Sequence, residues 1–330
     1  MTPPSTKSPT KAAPPEPTWL ATLNPFERDK RIVFDEKAHC YYIDGVRYPT
    51  SVSGIVHDCF PCFDAAGTID KYYESWRNNK ENKYSALIRY LSGVLGFDDE
   101  LIKAEIATLW SSSGRAASSA GTHTHLQIEL SLNDLTHDDT SAEHGQYMAW
   151  RATKDGWTPF RTEWSVFDDE TLVCGQIDSV WRDQDGAYRM VDWKRCAELK
   201  TTGFRGECGF PPFSDLPSTN WGHYVVQQNL YAWMLLKNYG IECASLALLQ
   251  VHPDLEEAKE WLLPRLFLPG GPIDLLMDAR RVKVSAGDIR VVEASGTKRK
   301  HVSEDDNRKA DLLVRKQLAL ERAIEQVKAL

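Results

Sequence analysis

Asp178, Asp192 and Lys194 are the residues whose types and spacing best carry chemistry. Asp178 stands within one run of β-branched and aromatic residues, and Asp192 and Lys194 lie two apart on a second. Strand alternation therefore puts the last two side chains on one face. Asp is poorly suited to strands, so a face with two carboxylates needs a stabilising partner. A hard divalent cation with oxygen ligands is one answer. A solvated hairpin face with a cross-strand Asp–Lys pair is the other, and Asp-x-Lys alone does not decide. Two further pairs favour the cation. His125 and Glu129 are four apart on one helical face, and Gln227 and Tyr231 share that spacing downstream.

The elements that must position these residues follow from pattern. Leu172 to Arg195, LVCGQIDSVWRDQDGAYRMVDWKR, is predicted to be a hairpin turning at Asp183-Gln184-Asp185-Gly186. GTHTHLQIE, Gly121 to Glu129, reads as a helix start, preceded by a small, flexible stretch from Ser111 to Ala120. VVQQNLYAWMLLKNYG is a strong helical pattern stopped by Gly240. Phe160 to Phe167 is expected to be the first core strand, carrying Glu163, and ASLALLQV, Ala244 to Val251, a buried strand. The order is αβββαβ.

These pieces in this order resemble the PD-(D/E)XK nuclease superfamily, in particular its RecB-like exonuclease branch, which includes mitochondrial genome maintenance exonucleases and phage and CRISPR-associated nucleases. The matching segments are GTHTHLQIE, Glu163 in RTEWSVF, GQID ending at Asp178, VDWK ending at Lys194, and QNLY preceded by Gln227. The resemblance implies an α/β fold: a restriction-endonuclease-like αβββαβ core with a mixed central sheet and an inserted N-terminal helical region. It also implies a site. Asp178, Asp192, the Trp193 backbone carbonyl and His125 would hold Mg²⁺ or Mn²⁺, the imidazole suiting Mn²⁺ better. Lys194 would position or help deprotonate the attacking water. Glu129 and Glu163 would orient ligands or metal-bound water, and Gln227 and Tyr231 would hold the substrate strand. Asp192 stands where many relatives have Glu, which the motif allows.

The activity implied is a metal-dependent deoxyribonuclease, a phosphodiesterase acting as an exonuclease on single strands or DNA ends in repair, recombination or replication. A structure- or site-specific endonuclease of the same fold is the first alternative, and a catalytically silent nucleic-acid-binding module the second. The sequence has no Gly-rich phosphate-binding motif of a helicase, so an unwinding or recombination partner would be a separate protein.

Composition bounds the rest. The chain has 330 residues, 42% of them hydrophobic, enough for one core bearing insertions. Six prolines among residues 1–18 predict a disordered tail. A nuclease domain is expected over 19–290, with a helical insertion at about 68–118 and the catalytic core at about 119–255. A polar linker at 291–306 and an amphipathic helix at 307–330 complete the expectation, the helix docking on the core or dimerising. Seven cysteines lack the spacing of a metal-binding set, since Cys59 and Cys62 have no second close pair. Reduced thiols are expected and an iron–sulfur cluster is not. With no apolar run of membrane length, a soluble, intracellular protein is expected, in nucleus, mitochondrion or bacterial or virus-infected cytoplasm. The net charge of −8 excludes binding nucleic acid by bulk electrostatics and leaves only a local basic groove.

Overall fold

The computed structural model of the chain describes residues 18–137 and 140–292. The expected tail, apart from Thr18, and the C-terminal helix lie outside the described residues. In chain order the elements are α1 (Trp19–Leu23), β1 (Ile32–Asp35), β2 (Cys40–Ile43), β3 (Val46–Arg47), β4 (Thr50–Ser51), α2 (Val52–Asp58), α3 (Ala65–Asn78), α4 (Ser85–Gly93) and α5 (Asp99–Leu132). They continue with α6 (Ala142–Ala152), β5 (Thr158–Asp168), β6 (Val173–Arg182), β7 (Tyr188–Arg195), α7 (Asn220–Met234), β8 (Cys243–Val251), β9 (Lys259–Leu262) and α8 (Pro272–Ala286). The described residues divide into two compact units, one of 18–62 with 117–292 and one of 63–116.

The first unit is mixed α/β. Its main sheet has the order β4-β6-β7-β8-β9, with β5 also paired to β6. β5, β6 and β7 form an antiparallel meander, whereas β7 and β8 run parallel through α7, so strand orientation is mixed. A small antiparallel sheet, β1-β2-β3, precedes it. Its second turn rests on Asp44 and Gly45, both at positive φ, as a tight two-residue hairpin turn requires.

Alternation along β7 divides two cores between the faces of the sheet. Val191 and Trp193 join Ile128, Leu132, Tyr147, Trp150 and Trp181 in one cluster. Met190 joins Val225, Leu230, Met234, Leu246 and Leu248 in the other. The C-terminal half of α5 and α6 therefore cover one face and α7 the other. The β6–β7 turn is held as predicted: Asp183 Oδ1 accepts the Asp185 and Ala187 amides, and Gly186 takes φ +80°.

The stretch Ser111 to Ala120, expected to be flexible, is helical, because α5 runs unbroken for 34 residues. Nothing in SSSGRAASSA breaks a helix as proline does, and its alanines favour one. Hydroxyls that compete with the backbone elsewhere here bond back along the helix, Ser112 to the Leu109 carbonyl and Thr124 to that of Ala120. α6 begins after Ser141, which caps it by accepting the His144 amide. β9 ends at Leu262, two residues before Pro264 removes a donor.

In the second unit α3, α4 and the first half of α5 pack around Ile69, Tyr73, Leu87, Ile88, Leu91, Ile102 and Ile106. Among its aromatics, Tyr73 is core, and Trp76, Tyr84 and Tyr90 pack against that core half-buried. The Trp110 indole donates to the Tyr84 hydroxyl at 2.8 Å.

Candidate metal centre

The centre lies where two paired strands part. β6 and β7 are in register from Arg182↔Tyr188 to Ser179↔Val191 and no further. Beyond that point β7 continues along β8 to Arg195↔Val251, while the start of β6 pairs with β4 at Val173 and Cys174. Asp178 and Asp192 are the first residues past the fork. Backbone groups that lose their ladder partners there must find others. The Trp193 amide donates to Asp178 Oδ2 at 2.9 Å. The Tyr231 hydroxyl comes close to the backbone of the opposite prong, 3.0 Å from where a Cβ on Gly175 would sit.

β5 adds the third acid. The pairs Thr162↔Ser179 and Trp164↔Ile177 place Glu163 opposite Asp178. Glu163 sits at φ +42°, a region costly for a side chain with a Cβ. Its carbonyl accepts the Gln176 side-chain amide at 3.0 Å. Arg161, one potential partner of Glu163, is committed instead to Asp29 at 2.6 Å.

α5 brings the imidazole. His125 Nε2 donates to the Trp193 carbonyl at 2.9 Å. That bond turns Nδ1 toward the acids, 3.5 Å from Asp178 Oδ2 and 3.9 Å from Glu163 Oε1. One ligand atom from each of His125, Glu163 and Asp178 lies within 4.8 Å of the others. Glu129, one turn on, is half-buried rather than on a solvated face, and burial holds its carboxyl above the ordinary range.

Asp192 and Lys194 stand on the α7 side of β7. Lys194 Nζ is 2.5 Å from Asp192 Oδ2, with the Asp192 side chain buried and that of Lys194 15% exposed. Asp192 Oδ1 accepts the Gln228 amide at 2.6 Å, while Oδ2 has no aligned hydrogen bond. The Lys194 ammonium lies 4.7 Å from the centre of the Tyr224 ring.

Electrostatics follow from the crowding. Burial, then the neighbouring Asp178, Glu129 and Asp192 charges, push the Glu163 carboxyl well above its ordinary value. Burial and then Asp178 push Asp192 up to about 7 against the pull of Lys194. Burial alone would discharge Lys194, but the Asp192 and Asp178 carboxylates outweigh it and keep the ammonium charged. Four carboxyl groups thus face one permanent cation. The donor set of imidazole nitrogen and carboxylate oxygens fits Mn²⁺ or Mg²⁺, and an additional positive charge would relieve the crowding.

The fold brings His125, Glu163, Asp178, Asp192, Trp193 and Lys194 together. The Trp193 carbonyl, expected as a ligand, accepts the His125 Nε2 hydrogen bond. Asp192 reaches the group through Asp178 and lies outside the triad itself. Tyr231, expected to touch substrate, is only 4% exposed. Its ring lies on Gly175, where an added Cβ would come 2.8 Å from Cε1. Gln227 is half-buried, and its Oε1 has no hydrogen-bond partner. Sequence reasoning missed Gln228 and Tyr224. Their signal was present, because Tyr224, Gln228 and Tyr231 lie on one face of the helix at spacings of four and three.

In comparisons with known proteins, the chain matches no family model and no curated protein.

Proposed function

We propose that the chain is a divalent-metal-dependent nuclease that hydrolyses DNA phosphodiester bonds, acting as an exonuclease on single strands or ends. The observation that carries this reading is the convergence of His125, Glu163 and Asp178 beside the Asp192–Lys194 pair. The core is proposed to be restriction-endonuclease-like. Supporting that are the α5–β5–β6–β7–α7–β8 order and the parallel return of β8 beside β7.

His125, Glu163 and Asp178 would hold the ion, with Asp192 next to them. Bound there, a divalent ion supplies positive charge to a phosphate oxygen and lowers the pKa of a water. Lys194, flanked by two carboxylates, is an ammonium, so its part is to donate toward negative charge developing on the phosphate rather than to take a proton. The His125–Trp193 bond fixes the imidazole tautomer and leaves Nδ1 as the free lone pair. Gln227, with an unsatisfied carbonyl oxygen, would accept a hydrogen bond from the substrate strand.

The test is cleavage of labelled single-stranded, double-stranded and covalently circular DNA with Mg²⁺, Mn²⁺ or EDTA. Metal-dependent loss of linear DNA that spares circles, absent in Lys194→Ala and Asp192→Asn, is the expected result. Cutting of circles would make the enzyme an endonuclease. DNA binding without cleavage in either metal would sink the nuclease reading.

A further inference from the structure

We infer that α7 clamps the Asp192–Lys194 pair from both ends, Gln228 fixing the carboxylate and Tyr224 the ammonium, so that both act as positioning residues for hydrolysis. The inference rests on the nuclease reading above and gives roles to Tyr224 and Gln228, to which the sequence motifs assign none.

The match is one of repeat lengths. Four residues of α-helix rise about 6 Å, and two residues of strand about 6.7 Å. Tyr224 and Gln228, four apart on α7, can therefore meet Lys194 and Asp192, two apart on β7, one for one. The pairing is observed: Gln228 Nε2 to Asp192 Oδ1 at 2.6 Å, and the Lys194 Nζ at 4.7 Å from the Tyr224 ring centre. Each partner satisfies a need that packing alone would not create. Gln228 is 1% exposed on a helix whose Val225, Leu230 and Tyr231 are core, and a leucine there would bury without desolvating an amide. Its Oε1 has no partner among the described residues, which leaves the side chain its hydrogen bond to Asp192. Lys194 has a four-carbon stem with large rotamer entropy, and a ring face is a non-titrating surface that narrows where its head can sit. The clamp leaves Asp192 Oδ2 as the oxygen shared between Lys194 and the metal group. It thereby sets the distance between the charge donor and the acids.

The experiment measures kcat and KM on a single-stranded oligonucleotide with Mn²⁺, Mn²⁺ affinity by calorimetry, and melting in EDTA. The variants are Gln228→Leu, Gln228→Met, Tyr224→Leu and Tyr224→Phe. The Gln228 variants are expected to lose about 10- to 100-fold in kcat or Mn²⁺ affinity, as outer partners of metal ligands do. Tyr224→Leu is expected to lose about 3- to 30-fold in kcat, the range of a cation–π contact, with Tyr224→Phe restoring it. KM for DNA should stay within about twofold for all four, because none touches substrate. Unchanged kcat and Mn²⁺ affinity in the Gln228 variants overturn the clamp, as does a Tyr224→Phe enzyme no better than Tyr224→Leu. So does a loss of kcat that only follows a loss of melting temperature in EDTA. Should the wild type bind Mn²⁺ yet cut nothing, the nuclease reading fails. The clamp is then judged on whether Gln228→Leu and Gln228→Met bind Mn²⁺ about tenfold more weakly. A wild type that neither cuts nor binds Mn²⁺ overturns both.

Discussion

His125 and Trp193 are joined by a 2.9 Å hydrogen bond from the imidazole Nε2 to a backbone carbonyl, which spans α5 and β7 and decides which ring nitrogen is left for a cation. A carbonyl can only accept, so Nε2 carries the proton and Nδ1 faces Asp178 and Glu163. His125→Ala should therefore weaken Mn²⁺ binding at least about tenfold, measured by calorimetry. Melting in EDTA should move little, because the side chain is partly exposed and leaves a carbonyl that water can reach. Equal Mn²⁺ affinity in wild type and variant would remove His125 from the ligand set.

Tyr231 and Gly175 make a prediction about the fork itself. A Cβ at position 175 would lie 2.8 Å from Tyr231 Cε1 and 3.0 Å from its hydroxyl. Gly175→Ala must displace a ring that is packed in the core. A loss of about 1–3 kcal/mol is expected from this overpacking. Tyr231→Ala alone should cost about 3–5 kcal/mol. In the double variant the alanine methyl has room, so the two costs should fall short of additive by more than about 1 kcal/mol in a urea double-mutant cycle. Strict additivity would mean the ring does not bear on Gly175.

Much of this arrangement was legible in the sequence, for identifiable reasons. The β6–β7 hairpin, its Asp183–Gly186 turn and α7 are local objects whose patterns repeat within a few residues. Asp192 and Lys194 share a face because alternation allows nothing else. The surroundings of Trp193 and Tyr231 were not legible, since both depend on β6 and β7 parting after Ser179↔Val191. That fork is set by β4 joining one strand and β8 the other, which are long-range pairings. The unbroken α5 was hidden by serines and glycines that also suit loops. Gln228 looked like one more polar residue on a helix until β7 supplied a carboxylate for it.

Asp169 ties the β5–β6 turn to the N-terminal segment and makes stability depend on acid. Its carboxylate bonds Arg31 at 2.8 Å, Arg28 at 3.1 Å and the Tyr48 hydroxyl at 3.2 Å. Burial raises its pKa, but Arg31 and then Arg28 outweigh that and hold it below the ordinary range. A group depressed in the folded state stabilises above its unfolded value of about 4 and loses that contribution as pH falls through the folded value. Asp169→Asn should melt below wild type at pH 6, and the gap should shrink toward pH 3. The effect is modest because the carboxylate is 42% exposed. A gap that stays constant with pH would assign the loss to packing.

Lys194→Ala separates the charge of the site from its chemistry. Removing one member of a buried ion pair leaves the other without compensation, at a cost of about 3–5 kcal/mol. Asp192 is 2% exposed and already held near 7 by burial and Asp178, so the variant can escape part of that cost by binding a proton there. A folded-state value above the unfolded one means that stability is present at low pH and lost as pH rises through the folded value. Lys194→Ala should accordingly be more stable at pH 6 than at pH 8, whereas the wild type keeps an internal countercharge. Mn²⁺ can take over that countercharge, because the four carboxyls of the site no longer share it with an ammonium. The melting temperature of the variant at pH 8 should thus rise further on adding Mn²⁺ than that of the wild type. Cleavage should be abolished in the same sample, since the donor to the phosphate charge is gone. A smaller Mn²⁺ shift in Lys194→Ala than in wild type would show that the lysine helps build the cation site rather than competing with it.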